Sequence, residues 1–208
     1  MNKPALFVVM GMIALPLVLL LFSLHAAMFN EQFYHEQFEK NKAYEKYGKD
    51  TVNEVNTQIL QFYKHNTPLI SDFFNDKERS HLADVRNLYI FSKVVLYLSL
   101  VIFLISLSRV KEKTYRAKIL TGGALLTLSI VLFVALFATT NFTSSFTAFH
   151  KLVFTNENWM LNPATDNIIL LFPESFFIAF VLLVLKNTTI MALLCLMISA
   201  AIKKEKVC

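Results

Sequence analysis

The sequence predicts an all-α membrane protein, four transmembrane helices carrying a mostly helical extracellular cap. Three observations lead there. With 55% hydrophobic residues, 20 of its 208 residues Phe, and a mean hydropathy of +0.50, the chain is too apolar for an ordinary soluble domain. The apolar residues gather in four helix-length runs. The excess of positive charge falls in short segments beside those runs.

The first run, residues 5–24, is uncharged and about 30 Å long at roughly 1.5 Å per residue, the thickness of a bilayer core. It exceeds the apolar stretch of a signal peptide, and His25-Ala26-Ala27 is a poor cleavage site, so a retained helix is expected. Residues 29–75 follow as an extracellular cap. Within it, 31–47 reads as an irregular amphipathic helix with Phe33, Phe38, Tyr44 and Tyr47, ending near Gly48. Asp50 or Thr51 caps a second helix, where Val52, Val55, Ile59, Phe62 and Tyr63 recur at helical spacing until Thr67-Pro68 stops it. Asn75-Asp76-Lys77-Glu78 reads as an N-cap followed by an acid three residues on. One helix then runs from 76 to 110, with its apolar part at 88–107 and a single charge there, Lys93.

The third run, 119–140, is uncharged and has Gly122-Gly123 near its start. Residues 141–186 form a second extracellular segment, rich in aromatics: Phe142, Phe146, Phe149, Phe154, Trp159, Phe172, Phe176 and Phe177. Pro173 is placed to open a short interfacial helix. The fourth span is expected to begin near Lys186-Asn187, with Lys186 snorkelling outward. The whole chain, 1–208, is then a single membrane domain.

Charge sets the orientation. Residues 109–118 hold five basic residues and one acid, and Lys203, Lys204 and Lys206 follow the last run, whereas 29–86 hold eight Lys/Arg against ten Asp/Glu. Short basic segments stay cytoplasmic, so both termini are expected inside and the cap outside. The net charge of +5 is thereby a topology signal, and no nucleic-acid partner is expected. Neither Cys195 nor Cys208 falls in an exterior segment, so no disulfide is expected. Gly-rich phosphate loops, CxxC pairs and repeats are absent, and no cofactor is implied.

Two histidines carry the chemistry. His81 lies in Glu78-Arg79-Ser80-His81-Leu82-Ala83-Asp84-Val85-Arg86, directly before the second apolar run, and His150 follows the third run. Topology puts both on one face of the bilayer. On an ideal helix, His81, Asp84, Val85 and Leu88 share a side, with His81 about 10 Å beyond Leu88, at the depth of lipid headgroups and esters. Asp84 could fix one imidazole nitrogen of His81 and leave the other as a base. Two imidazoles at a lipid interface point to proton transfer on a lipidic substrate. His25, His35 and His65 have no neighbour that gives them such a role. Two other readings stay open on residue grounds alone. His81, Asp84 and His150 could ligate zinc in a membrane hydrolase, although no His-Glu-x-x-His helix is present. A non-enzymatic interaction protein with an aromatic cap would also fit, and would not require the histidines to meet.

The wording of the motifs narrows this. Glu-Arg-Ser-His-Leu-Ala-Asp-Val-Arg at 78–86, Phe149-His150-Lys-Leu-Val-Phe154-Thr-Asn-Glu-Asn-Trp159-Met-Leu-Asn-Pro163, and Leu171-Phe172-Pro173-Glu174-Ser175-Phe176-Phe177 together resemble the bacterial lipoprotein intramolecular transacylase family. The resemblance spans nearly the whole chain. Leu82 stands where that family often has methionine, and Asn162 where it often has an acid. The resemblance implies an acyltransferase acting on diacylated lipoproteins, with His81 and His150 catalytic; no metal is expected, and the chain is expected to work as a monomer in contact with membrane lipid. Asp84, Arg86 and Glu78 are candidates for orienting a histidine or stabilising an oxyanion. Phe149, Phe154, Trp159, Phe172, Pro173 and Glu174 are candidates for the substrate pocket.

Overall fold

A computed structural model describes residues 3–204. Among them are nine helices and no strand: α1 (Lys3–Met28), α2 (Glu31–Lys40), α3 (Ala43–Tyr47), α4 (Lys49–His65), α5 (Asp76–Arg109), α6 (Lys113–Thr140), α7 (Phe142–Val153), α8 (Ile168–Leu171) and α9 (Glu174–Lys204). Helices α1, α5, α6 and α9 are long and apolar enough to cross a membrane. The chain divides into two compact units.

The first unit takes in the segments ending at Ala26, running from Ser92 to Thr139, and starting at Leu182. Leu15, Leu19, Leu120, Ala124 and Ala192 are buried together, and Val8, Val110 and Ile119 form a second buried group. Small residues let α1 and α6 approach. A Cβ on Gly123 would lie 2.8 Å from Leu15 Cδ2 and 3.2 Å from the Met12 backbone oxygen. Close backbone approach through glycine is how helices associate where no water is available to drive burial. Hydroxyls add directed contacts: Thr121 donates to Ser199 Oγ (2.7 Å), which donates to the Ala117 carbonyl (2.8 Å). Val101, Leu104, Leu132, Phe133, Leu193 and Met197 are exposed, an outward apolar surface suited to lipid.

The second unit comprises Ala27–Phe91 and Thr140–Val181. Asn30 Oδ1 accepts the Phe33 N–H (3.1 Å) and starts α2. The helix expected over 31–47 is interrupted at Lys42, whose φ is +60°, and α3 ends at Gly48, φ +81°. Glycine reaches that second conformation without steric cost, and α4 begins on the next residue, slightly ahead of the expected Asp50 or Thr51 cap. At α5 the expected capping box forms in both directions. Asn75 Oδ1 accepts the Glu78 N–H (2.9 Å), and Glu78 Oε2 accepts the Asn75 N–H (2.8 Å). Arg79 ties the preceding loop to this first turn through the carbonyls of Phe74, Leu69 and Ser71.

One expectation at the last helix is corrected. No short interfacial helix is followed by a span at Lys186; α9 is continuous from Glu174. Pro173 sits just before the first turn, where its missing N–H costs nothing, and lysine is a good helix former that does not break the run. Lys186 is exposed on that helix.

Candidate active site

Both histidines belong to the second unit, His81 near the start of α5 and His150 in the last turn of α7. Asn141 caps α7 by accepting the Ser144 N–H (3.2 Å). The apolar side of that short helix turns His150 into the interior, leaving it 7% exposed. The two imidazole centroids are 6.0 Å apart, with ring planes inclined by 38°. Residues 69 positions apart in sequence are thus brought to one place.

Their hydrogen bonds differ. His150 Nδ1 lies 2.7 Å from the Phe146 carbonyl oxygen. A carbonyl only accepts, so Nδ1 carries the proton and the neutral ring presents a lone pair at Nε2. Burial holds the His150 pKa below its usual 6.5, and the Phe146 hydrogen bond opposes that shift without reversing it. The neutral form is therefore favoured near pH 7. His81 Nδ1 is buried and has no hydrogen-bond partner.

Aromatic rings enclose the pair. Phe154 meets both, with its centroid 5.3 Å from that of His81 and 5.4 Å from that of His150. Trp159 is 5.0 Å and Phe146 4.1 Å from His150. Phe149 touches His150 edge-on at 5.4 Å but remains 47% exposed. Phe146, one helical turn before His150, completes the surround; its i, i+4 spacing to His150 was the available signal.

Around these rings the segment after α7 lies antiparallel along α5. Lys77 Nζ donates to the Met160 carbonyl, Asn158 Nδ2 to Ser80 Oγ (2.9 Å), and Asn156 Nδ2 to Asp84 Oδ2 (2.9 Å). Positions 77, 80 and 84 share one side of α5, while their partners run backwards, 160, 158, 156. Further along, the fully buried Glu78 accepts the Ile168 N–H through Oε1 (2.6 Å). Asp166 accepts from Asn75 Nδ2 (2.9 Å) and from the Asn162 N–H (2.7 Å). Phe154 and Trp159 are carried on this strap.

The candidate residues therefore divide. His81, His150, Phe154 and Trp159 converge, with Phe149 at the margin. Asp84 does not hold an imidazole nitrogen of His81: its carboxylate takes the Asn156 amide, and helical spacing alone did not choose between those partners. Glu78 is spent on the α5 cap and the Ile168 N–H. Arg86 Nε donates to the Phe62 carbonyl (3.0 Å), with its guanidinium over the Phe62 ring, so it anchors α4. Phe172 packs instead among Tyr34, Phe38 and Phe176, away from the histidines but joined to the rings around His150 through Phe176, Phe177 and Phe146, an arrangement that the composition of 141–186 does not reveal. Pro173 leads into α9, and Glu174 accepts from Thr143 Oγ1 (3.0 Å). The sequence points to Asp84 but not to its partner Asn156, nor to the neighbouring Ser80–Asn158 pair; the Asn-x-Asn spacing is the signal available for them. Among the described residues, no three His, Cys, Asp or Glu side chains are grouped to hold a metal. The arrangement required by a His81/Asp84/His150 metal site is not formed, because Asp84 turns to Asn156.

Comparison with known proteins gives a consistent assignment. The model of the family described as lipoprotein intramolecular transacylase Lit matches residues 9–177. Among solved structures, the membrane integral lipoprotein intramolecular transacylase Lit from Bacillus cereus superposes with a TM-score of 0.87 at 22% identity, covering 99% of this chain and 98% of that one. Two structures of the same Bacillus cereus protein with one histidine replaced, by arginine or by alanine, give TM-scores of 0.80 and 0.77 at 21% and 20% identity. Each covers 99% of this chain, with 94% and 96% of the other chain matched. No curated protein matches the sequence. The structural likeness establishes the fold, that of an integral membrane protein. On the family match over residues 9–177, the chain belongs to the lipoprotein intramolecular transacylase family and is an acyltransferase.

Proposed function

We propose that the enzyme moves the sn-2 acyl chain of a diacylglyceryl-cysteine lipoprotein to that lipoprotein's own N-terminal α-amine. His81 and His150 carry the proton transfers. The observation that supports this reading is the facing pair of imidazoles, 6.0 Å between centroids, inside a shell of aromatic rings.

The reaction is an isomerisation. The amine nitrogen attacks the ester carbonyl carbon, a C–N bond forms, the acyl C–O bond to glycerol breaks, and one proton passes from nitrogen to the glyceryl oxygen. Counting nitrogen, Cα, Cβ, sulfur, two glyceryl carbons, ester oxygen and carbonyl carbon, the transition state closes roughly an eight-membered ring, whose entropic cost is lowered by holding the two ends in place. The aromatic shell serves that confinement.

An α-ammonium has a pKa near 8, about the reference value, and must lose a proton before attack. His150 is the better base of the two. The Phe146 carbonyl fixes its proton on Nδ1, so Nε2 is available to accept. The proton then passes from His150 to the facing His81, which delivers it to the departing glyceryl oxygen. This reverses the roles suggested by the His81–Asp84 spacing. Asp84 acts through Asn156, as a positioning residue for the strap. Phe149, Phe154 and Trp159 line the acyl and glyceryl parts of the substrate. The enzyme works as a monomer, with both termini cytoplasmic and residues 29–75 and 141–173 outside. The acidic balance of residues 29–86 and the basic 109–118 segment support that orientation.

The test is mass spectrometry of the N-terminal peptide of a diacylated lipoprotein co-expressed with the enzyme. The expected product has one acyl chain on nitrogen, one on glycerol and an unchanged total mass. Loss of one acyl mass would instead identify a hydrolase, and a third chain an intermolecular N-acyltransferase.

A further inference from the structure

Helix α7 lies across the starts of two membrane spans. Its first turns are held by α9: Thr143 Oγ1 donates to the Glu174 carboxylate (3.0 Å), and the Phe146 and Phe177 rings meet at 5.1 Å. Its last turn is held by α5, where His150 faces His81 with 6.0 Å between centroids. Glu174 is the first residue of α9, and His81 lies seven positions before Leu88, where the apolar run of α5 begins. Only Asn141 separates α7 from the end of a third span, α6. The 12 residues of α7, about 18 Å long at roughly 1.5 Å each, therefore run along the lipid boundary and not away from it.

The two flanks of α7 differ in chemistry. At about 100° of turn per residue, Leu152 lies about 200° round the helix from His150, so turning the histidine inward drives the leucine out. Leu152 is 86% exposed. Phe149, three residues earlier on the same flank, meets His150 with one edge and leaves the rest of its ring outside. The other flank carries Ser144, Thr147 and Lys151, which line a shallow groove together with Thr143 and Ala148. An apolar flank beside a flank of hydroxyls and one lysine is the pattern of a helix lying in the plane of a membrane interface. Leu152 and Phe149 gain by leaving water, and Lys151 can keep its stem in the apolar layer while its ammonium reaches a phosphate.

We propose that α7 is a membrane-docking helix, with Leu152 and the outer edge of Phe149 inserted among the glycerol and upper acyl carbons of the adjoining leaflet and Lys151 at a phospholipid phosphate. The partner is phospholipid, and not a second copy of the chain, because both ends of α7 are tied to helices that themselves enter the lipid. Docking also sets the height of His150 in the leaflet, since Phe149, His150 and Leu152 belong to one helical turn. None of this depends on acyl transfer taking place.

Spin labels on the full chain in phosphatidylcholine nanodiscs test the docking. In a background of Cys195→Ser and Cys208→Ser, single labels would be attached through Leu152→Cys, Ser144→Cys or Asp50→Cys, three exposed positions where the change does not disturb packing. Each label is then relaxed by oxygen, which partitions into lipid, or by a nickel chelate, which stays in water. The label at 152 should favour oxygen and lie about 5–10 Å below the phosphates, the depth of an interfacial helix's apolar face. The label at 50 should favour nickel, and the label at 144 should fall between the two. Nickel access at 152 equal to that at 50 would put the flank in water and overturn the proposal. A label deeper at 144 than at 152 would give lipid the wrong flank and overturn it too. Spin–spin broadening at 152 that disappears on dilution with unlabelled chain would mean that a second copy covers the flank, with the same consequence.

Discussion

The two compact units hold together by different physics. In the first, close approach of α1 and α6 at glycine, buried leucines and alanines, and a few hydroxyl contacts suffice, and most apolar surface faces outward. In the second, order comes from directed partners: the Asn75–Glu78 box, the Glu78–Ile168 bond, the Asp84–Asn156 and Ser80–Asn158 contacts, and interlocked rings. Packing of the first kind tolerates exchange of one apolar residue for another but not added bulk where backbones meet. Partnership of the second kind tolerates bulk at its edges but fails when a named donor or acceptor is lost. A reaction that needs two imidazoles at fixed separation is better served by the second kind, because each contact fixes an orientation as well as a distance.

The largest expected effect on stability comes from breaking the first unit. Gly123→Val puts a Cβ 2.9 Å from Leu15 Cβ and 3.2 Å from the Met12 backbone oxygen, so backbones must part. Unfolding in detergent should show a loss of about 1–3 kcal/mol. Gly122→Ala meets only the flexible end of Met12. It should lie within about 1 kcal/mol of wild type, since alanine's better helix propensity offsets the shift. Equal losses at the two glycines would mean that the close approach does not fix the unit.

In the second unit, Asp84→Ala should lower kcat by about 10-fold to 100-fold through loss of the strap's anchor, a charge-assisted hydrogen bond. Asn156→Ala should do the same, and the double variant should be no worse than either. Additive losses would return Asp84 to a direct role at His81. Asp84→Asn should be milder, because its side-chain oxygen still accepts from Asn156.

The pH profile separates the unit's chemistry from its architecture. The substrate's α-ammonium, with a pKa of about 8, must lose its proton before attack, so kcat should be flat above about pH 8 and fall below it. Because the His150 pKa is lowered by burial, protonation of the base should add a second fall only below pH 6.5. A second fall that sets in above pH 6.5 would contradict a buried, neutral base. The smallest effect concerns Asp166, whose carboxyl is held below the ordinary carboxylate range chiefly by the Asn162 N–H. A depressed carboxylate contributes stability above its unfolded pKa, near 3.9, and loses it as pH falls through the folded value. Asp166→Asn should therefore cost about 1 kcal/mol at pH 7 and progressively less below pH 4, read from unfolding midpoints.

What was legible in the sequence follows the same division. The four spans and the long α5 helix came from run length, and the Asn75–Glu78 cap from a local spacing rule, because each depends on neighbours in sequence. The meeting of His81 and His150 was legible only through topology and the family resemblance. The partner of Asp84 was not, because Asn156 lies 72 positions away and a three-residue helical spacing to His81 was the nearer candidate. Phe172 and Trp159 belong to one aromatic-rich segment, yet only Trp159 meets a histidine ring while Phe172 packs on Tyr34, Phe38 and Phe176, which composition cannot separate. The continuity of α9 is not legible at Lys186, because a charge in an apolar run reads as a membrane boundary, whereas the helix carries it outward.

The division of proton transfers between two facing imidazoles is tested most directly by replacing them singly. His150→Ala and His81→Ala, each checked for wild-type unfolding behaviour, would be assayed on a diacylated lipopeptide by mass spectrometry of its N-terminal fragment. Each variant should lose about 10²-fold to 10⁴-fold in kcat, the worth of one general acid or base step, and leave the diacylglyceryl form. Full activity in either folded variant would contradict the paired mechanism.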